Sequence, residues 1–378
     1  MPAVTTTPQY LLASNLSAVY IKTQTALGTY EDPTPNTEAN PALPPVYDGS
    51  NAIRVVGMPK FAVRGAGIIQ RADVMTPWGG NQSSRTGGLG WDITLSTEFF
   101  WELGQAVDLT LATVTQLAPL FLASPWAITD AGGSVTDLSV QPFFYADVNR
   151  STVPFSVQPF SIVYEESGGK RFEAYDCVAV PKLSWEYGQK VMIEWTIKGK
   201  WRDVTSTYQV VPAYVAPETQ APIIGVNCSL SLTDFFENVN AVSKVTIDTG
   251  WAINDVADFR ETYGFGLGFM ALSASPSIEL DVADLPEGPS TTPAVPGPGV
   301  VNTGLEPDWT DAKANTILSE LNLTMDIGSY SIAFILANPQ LAAFPTPGET
   351  NSYRTNTLKF QGIPNSASSV MSWRFQGD

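Results

Sequence analysis

The chain has 378 residues, with 37 acidic against 20 basic side chains and a formal net charge of -17, a balance that excludes nucleic-acid binding through a basic surface. It contains no histidine, which excludes a histidine-based triad, an imidazole-ligated zinc site and a histidine proton relay. Its two cysteines, Cys177 and Cys228, cannot form a disulfide scaffold or a four-cysteine metal site and read as buried thiols in a reducing compartment.

The first ten residues, MPAVTTTPQY, carry no basic region followed by an apolar stretch, so no secretory signal is expected in them. Glycine (30) and proline (29) are concentrated in Pro33 to Pro45, Pro77 to Gly90, Val211 to Pro222 and Leu285 to Pro307, which read as connectors. A strand is expected near Val63 to Arg71. From Leu89 to Trp101 the odd positions are mostly apolar (Leu89, Trp91, Ile93, Leu95, Phe99) and the even ones polar (Asp92, Thr94, Ser96, Glu98), the period of a half-buried strand. Leu111, Val114, Ala118 and Phe121 share a helical face in Asp108 to Ala123, with Pro119 interrupting it. The apolar run 118–128 is about half the roughly 20 residues that span a bilayer, so it reads as core and no membrane contact is expected.

Strands follow near Pro159 to Glu165 and Phe172 to Cys177. Leu183, Trp185, Tyr187 and then Val191, Ile193, Trp195, Ile197 alternate with polar residues on either side of Gly188 and Gln189, which predicts an antiparallel hairpin. In the second half, strands are expected over Gly225 to Phe235, Val242 to Ile253 and Tyr263 to Val282. A helix is expected over Asp308 to Leu321, with Ala314, Ile317, Leu318 and Leu321 on one face, then strands at Leu321 to Leu336, Thr355 to Gly362 and Ser369 to Phe375.

The two halves repeat an order of elements while their residues hardly repeat. About 150 residues per domain also predicts two domains. The expected division is an extended arm 1–60, a first domain 61–212, a linker 213–222, and a second domain 223–378 carrying the Pro/Gly-rich insertion 285–307. The fold class expected is mainly β (α+β), with antiparallel sheets, half buried, and one helix flanking each.

Motifs for chemistry are sparse. Gly168-Gly169-Lys170-Arg171 lacks the Ser/Thr and leading Gly of a phosphate loop and reads as a hairpin turn, Gly65-Ala66-Gly67 lacks a third glycine, and no GxSxG occurs. Glu186 and Glu194, on neighbouring strands of one hairpin, are the carboxylate pair that a glycosidase would need about 5 Å apart. The tryptophans at 91, 101, 185, 195 and 201 share the parity of the aliphatic residues and so belong to cores rather than to a sugar-stacking platform. Lys198, Lys200 and Arg202 form the densest basic cluster, at a strand end, and read as flanking a sheet edge or pairing with a neighbouring subunit. No catalytic residue, metal site or cofactor is expected.

Several blocks, taken in order, resemble one family. Lys22 to Pro35 followed by Asn51-Ala52-Ile53, then Ile68-Ile69-Gln70-Arg71, the glycines 79, 80, 87 and 88, the strand Asp92 to Phe99 and Pro119-Leu120-Phe121-Leu122-Ala123 resemble the tail tube (major tail) proteins of long-tailed bacteriophages. Phe160-Ser161-Ile162, Asp176-Cys177-Val178-Ala179, the hairpin ending Lys198-Gly199-Lys200-Trp201, the strand at Leu230 and the terminal Trp373-Arg374-Phe375 continue the resemblance over nearly the whole chain. Gln70, where the family usually has an acid, and the long insertion 285–307 depart from it.

The resemblance implies two tandem tail-tube domains, each an antiparallel β-sandwich or half-barrel with a flanking helix. Three copies would close a pseudo-hexameric ring, and rings would stack into the virion tail tube through which the genome is ejected. It implies a structural protein rather than an enzyme, present in host cytoplasm before assembly. The implied partners are itself, the tail tip or baseplate, tape measure and tail terminator proteins, and DNA that passes without specific binding. On this reading Asp92, Thr94, Ser96, Glu98, Glu186, Glu194, Glu279, Asp281, Asn322, Thr324 and Asp326 line the channel as a weakly repulsive wall. Unit charges 10 Å apart interact by roughly 0.4 kcal/mol in water, cut to roughly 0.1 by screening, so each repulsion stays below thermal energy. Trp78, Gly79, Gly80, Asn81, Arg85 and Gly87 in the Gly-rich loop, with Tyr30 and Pro33 in the arm, are the expected contacts between rings and protomers. Two other readings stand beside this one: a glycan-binding or depolymerising tail-associated protein, and a capsid or minor tail protein.

Overall fold

The computed structural model describes residues 18–34, 51–64, 67–71, 82–86, 90–98, 117–130, 135–140, 157–166, 170–205, 228–231, 242–253, 256–257, 265–266, 275–283, 317, 320–327, 330–343, 346–350, 353–364 and 369–376. Described elements of the first half are β1 (Ala18–Thr23), β2 (Ala52–Ile53), β3 (Lys60–Arg64), β4 (Gly67–Arg71), β5 (Gln82–Thr86), β6 (Gly90–Glu98), α1 (Ala118–Leu122), β7 (Ala127–Asp130), β8 (Val135–Val140), β9 (Phe160–Glu166), β10 (Lys170–Glu186) and β11 (Met192–Thr205). The second half contributes β12 (Cys228–Ser231), β13 (Val242–Asp248), β14 (Val256–Ala257), β15 (Phe265–Gly266), β16 (Ser277–Ala283), β17 (Glu320–Ile327), β18 (Tyr330–Ala337), β19 (Pro339–Leu341), β20 (Thr346–Thr350), β21 (Tyr353–Gly362) and β22 (Met371–Gln376).

The chain is mainly β, and every strand pairing is antiparallel. Alternation sets which face each strand buries. In β6, Trp91, Ile93 and Leu95 are buried while Asp92, Thr94 and Ser96 are half-buried. The hairpin at Gly188 forms as its flanking pattern predicts, with Leu183 opposite Ile193 and Gly188 at φ 75, the left-handed region that glycine enters without steric cost.

Two large sheets carry the fold. The first has 12 strands, with the path β19-β21-β16-β13-β10-β11-β6-β3 and β1, β2, β9 and β20 attached beside it. The second has 6 strands in the order β12-β17-β18-β22-β8-β7. Their apolar faces meet in one core: Phe121 of α1 lies 5.1 Å from Trp195 of the first sheet and 6.1 Å from Trp373 of the second, and Trp185 lies 6.1 Å from Phe334. Each aromatic ring so buried removes a large apolar area from water, worth roughly 1.5–3 kcal/mol for a fully buried large side chain.

This architecture revises the expectation of one sheet and one core for each half. Among the described residues pairing crosses the midline at β10 with β13 and at β22 with β8, and one core cluster holds residues of both halves. The proposed linker 213–222 and the insertion 285–307 lie outside the described residues. Of the helix expected over Asp108 to Ala123, α1 forms the end, with Pro119 in its first turn, where a missing N–H costs nothing. Of the helix expected over Asp308 to Leu321, residues 308–316, 318 and 319 lie outside the described residues, Ile317 is irregular, and Glu320 and Leu321 open β17. The strand expected over Val63 to Arg71 is two strands: β3 joins the large sheet and β4 pairs with β5 in a separate hairpin.

Candidate assembly site: a polar sheet face and its edges

Because side chains of a strand alternate between faces, burying Trp91, Ile93, Ile193, Trp195, Ile247 and Leu280 in the core leaves the opposite face of the first sheet polar. That face runs without interruption across both halves. Its rows can be followed through the register. Ser96 lies opposite Glu194, which lies opposite Lys182, which lies opposite Asp248. A second row runs Glu186, Lys244, Asp281, Thr357, where the Thr357 hydroxyl donates to Asp281 at 2.5 Å. Lys198 faces Asp92, Lys359 faces Glu279, and Lys190 pairs with Glu98.

The polar residues Asp92, Thr94, Ser96, Glu98, Glu186, Glu194, Glu279 and Asp281 are therefore brought together on this face. The face is not a purely acidic one, however. Lysines sit opposite the acids in successive strands, and cross-strand pairs of opposite charge favour this register. Sequence alternation marks each polar face but not which strands become neighbours, so the lysines across from these acids were missed.

Asn322, Thr324 and Asp326 belong elsewhere. They lie in β17 of the second sheet, where Leu321, Leu323 and Met325 are buried and Asn322 and Thr324 are half-buried on the other side. Asn322 and Thr324 thus lie on the outer side of the second sheet, apart from the polar face of the first, and Asp326 lies in the same strand.

The loop residues Trp78, Gly79, Gly80, Asn81 and Gly87 lie outside the described residues. Arg85 lies in β5, opposite Ile68. Tyr30 and Pro33, expected at contacts between protomers, are engaged within the chain. Pro33 is buried, and its carbonyl accepts from the Asn51 amide at 2.8 Å. Tyr30 packs beside Tyr20, Ala52 and Val163, with the Arg202 guanidinium 3.6 Å from its ring centroid.

A cluster of ions holds this segment, with Arg171, Glu165 and Glu173 buried and Asp32 and Arg202 half exposed. Arg171 donates to Glu173 at 2.6 Å, Glu165 at 3.3 Å, Asp32 at 3.0 Å and the Tyr30 hydroxyl at 3.4 Å. Arg202 pairs with Glu173 at 3.1 Å. A second anchor is Asp176, which sits at a register shift in β10 with φ 51. Its carboxylate accepts from the Gly28 N–H at 2.8 Å and the Gln24 amide at 3.1 Å and pairs with Lys200 at 3.0 Å. Lys200 and Arg202 of the basic cluster are thus engaged within the chain, while Lys198 lies on the polar face opposite Asp92.

The main path of the sheet has two open ends among the described residues, beside the short β2 that ends the β9-β1 branch. β3 pairs only with β6, and its Lys60, Ala62 and Val63 are exposed. The chain leading into it extends the same edge, with the Val56 N–H donating to the Ser96 carbonyl at 2.7 Å, and leaves Val56 and Met58 exposed at 44% and 55%. At the other side β19 and β20 pair only with β21.

The strand order between these sides repeats. From the β3 side it reads β3-β6-β11-β10 and then β13-β16-β21 with β19 and β20, the same permutation of chain order in each half. Since neighbours are antiparallel throughout, β3 and β13 point the same way, as a head-to-tail repeat requires.

The two strand glutamates expected as a glycosidase pair are not brought together. Glu186 lies opposite Lys244 and Glu194 opposite Lys182, so the two are offset by four residues, roughly 13 Å at about 3.3 Å per residue, too far for a glycosidase pair. Trp91, Trp126, Trp185, Trp195 and Trp373 are buried. Among the described residues no group of three or more acids or cysteines could hold a metal, and no helix is long and apolar enough to cross a membrane. No protein-family model matches the chain, and no curated protein is similar to it.

Proposed function

We propose that the chain is a structural virion protein of the phage tail tube, its two halves acting as tandem tube domains, with copies joined head to tail into rings that stack around a channel. The observation that carries this reading is the repeated strand order. Within the chain, the two repeats join edge to edge at β10 and β13. A second copy presenting β3 to the β19 and β20 side would extend the sheet by the same antiparallel rule. Such a head-to-tail contact uses two different surfaces, so it generates a closed ring when the rotation between repeats divides the circle. Closure also removes the open edges, with Val56, Met58 and Val63 taken out of water.

The polar face of the sheet then lines the channel. Its lysines stand opposite acids, so DNA meets a wall of low net charge instead of a basic stripe that would accumulate phosphate contacts. The sequence resemblance supplies the identity of the tube. The repeat and the polar face supply a physical reason for a ring.

Negative-stain electron microscopy over a concentration series, in wild type and in Val63→Glu, tests the proposal. Stacked rings with a central hole and threefold or pseudo-sixfold symmetry are expected in wild type. The edge charge is expected to abolish them while the circular dichroism of the protomer is retained. Compact particles without a channel at every concentration, or unimpaired rings in the variant, would overturn it.

A further inference from the structure

Three carboxylates and two guanidiniums meet where the segment 30–34 lies on the sheet. Asp32 comes from that segment, Glu165 from β9, Glu173 and Arg171 from β10, and Arg202 from β11. Glu165 and Glu173 expose only 5% and 6% of their side chains. Asp32 and Arg202 are half exposed, at 45% and 44%, so the buried members are Glu165, Glu173 and Arg171, and with both glutamates ionised one buried cation faces two buried anions, which is costly.

The three acids are not equivalent. Glu173 accepts from Arg171 at 2.6 Å and pairs with Arg202 at 3.1 Å, and Asp32 accepts from Arg171 and from the Thr34 N–H at 2.9 Å. Glu165 has the poorest set: one oxygen takes a single long bond of 3.3 Å from Arg171, and the other, Oε2, is buried with no hydrogen-bond partner. A carboxylate there lacks the donors that would stabilise its charge, whereas a neutral carboxyl satisfies the charge count of the cluster.

We propose that Glu165 is a proton-operated latch: its neutral carboxyl lets Arg171 serve Asp32 and Tyr30, holding the segment 30–34 on the sheet, and its ionisation loosens that segment. Once charged, Glu165 competes with Asp32 for the same guanidinium and repels it across the cluster. Burial, first, and the charges of Asp32 and Glu173 push the Glu165 carboxyl above its ordinary range, against the pull of Arg171. Tyr30 does not take part in the titration, because burial and the charges of Glu173 and Asp32 drive its hydroxyl above its ordinary range as well.

The direction follows by linkage. A carboxyl whose folded value is raised contributes docking stability that is complete below its ordinary range and is lost as pH rises through the raised value. The latch is closed below the ordinary carboxylate range and opens as pH rises through the raised value. It is independent of ring assembly, since every group belongs to one chain.

The experiment is hydrogen exchange at the amides of residues 28–34, corrected for intrinsic pH dependence, in the full chain and in Glu165→Gln between about pH 5 and pH 9. Amides of β16 serve as the control for global stability. Wild type is expected to lose protection at 28–34 at least several-fold as pH rises while β16 keeps its own, and the glutamine variant, which cannot ionise, is expected to stay protected throughout. Equal pH profiles in the two proteins would overturn the latch. Carbon-13 titration of the Glu165 carboxyl in wild type provides a reading that does not depend on the variant folding: an inflection above the ordinary glutamate range supports the latch, and one at or below that range overturns it.

Discussion

Trp195 donates its indole N–H to the Thr97 hydroxyl at 2.9 Å inside the core between the two sheets. Thr97 is the polar residue on the otherwise apolar face of β6, and it is 1% exposed. Its hydroxyl is there because a buried indole N–H needs an acceptor.

Thr97→Val keeps the shape and removes that acceptor. The unsatisfied indole N–H is expected to cost about 1–3 kcal/mol, read as a lowered urea midpoint with an unchanged slope. An unchanged midpoint would show that the indole finds another acceptor.

Asp176 offers a larger effect. It is 1% exposed, holds Gln24, Gly28 and Lys200 together, and occupies φ 51, a region that aspartate and asparagine tolerate better than alanine. Asp176→Ala deprives the buried Lys200 ammonium of this anion, removes the acceptor for the Gly28 N–H and adds backbone strain, for an expected cost of about 3–5 kcal/mol. Asp176→Asn keeps the backbone preference and one acceptor and is expected to cost less. Denaturant titration ranks the two, and equal costs would remove the backbone contribution from the account.

Gly199 marks a close approach between strands. A Cβ there would meet Cys177 Sγ at 2.5 Å, Ala174 Cβ at 3.2 Å and the Tyr175 carbonyl at 3.3 Å. Gly199→Ala is expected to destabilise by about 1–3 kcal/mol through overpacking. Cys177→Ala removes the nearest atom, so the double variant is expected to recover part of that loss. A double-mutant cycle measures the recovery, and strict additivity would place the clash on the backbone instead.

What could be read from the sequence divides along physical lines. Alternation in β6, the end of β10, β11, β16 and β17 is a local property, and it marked their buried faces because each of these stretches is wet on one side only, whereas 176–181 of β10 is buried on both. Pairing is not local. Lys182 and Asp248, or Arg374 and Asp137, which join at 2.7 Å and 2.9 Å across the second seam, come from distant parts of the chain, and nothing in either segment names its partner.

The same distance hid the ionic anchor of the arm, where Arg171 and Asp32 stand 139 residues apart. At Leu321 two periods competed. It completes a helical face with Ala314, Ile317 and Leu318 and also opens the alternation Leu321, Leu323, Met325. Pairing with Leu336 in β18 decides for the strand.

The first seam makes the last prediction. Lys244 of β13 stands opposite Glu186 of β10 on one side and Asp281 of β16 on the other. All three lie on the polar face, where opposite charges in register are worth under about 1 kcal/mol for each pair and salt weakens them. Lys244→Glu is expected to lower the thermal midpoint by a few degrees at low salt, because three acids then lie in one row. Adding Glu186→Lys is expected to restore only part of the loss, since Asp281 still faces the new glutamate, and a third change, Asp281→Lys, is expected to bring the midpoint back. The series should flatten in about 1 M salt, where the Debye length falls to about 3 Å. Recovery already complete in the double variant would mean that Asp281 is held by Thr357 too firmly to sense the seam.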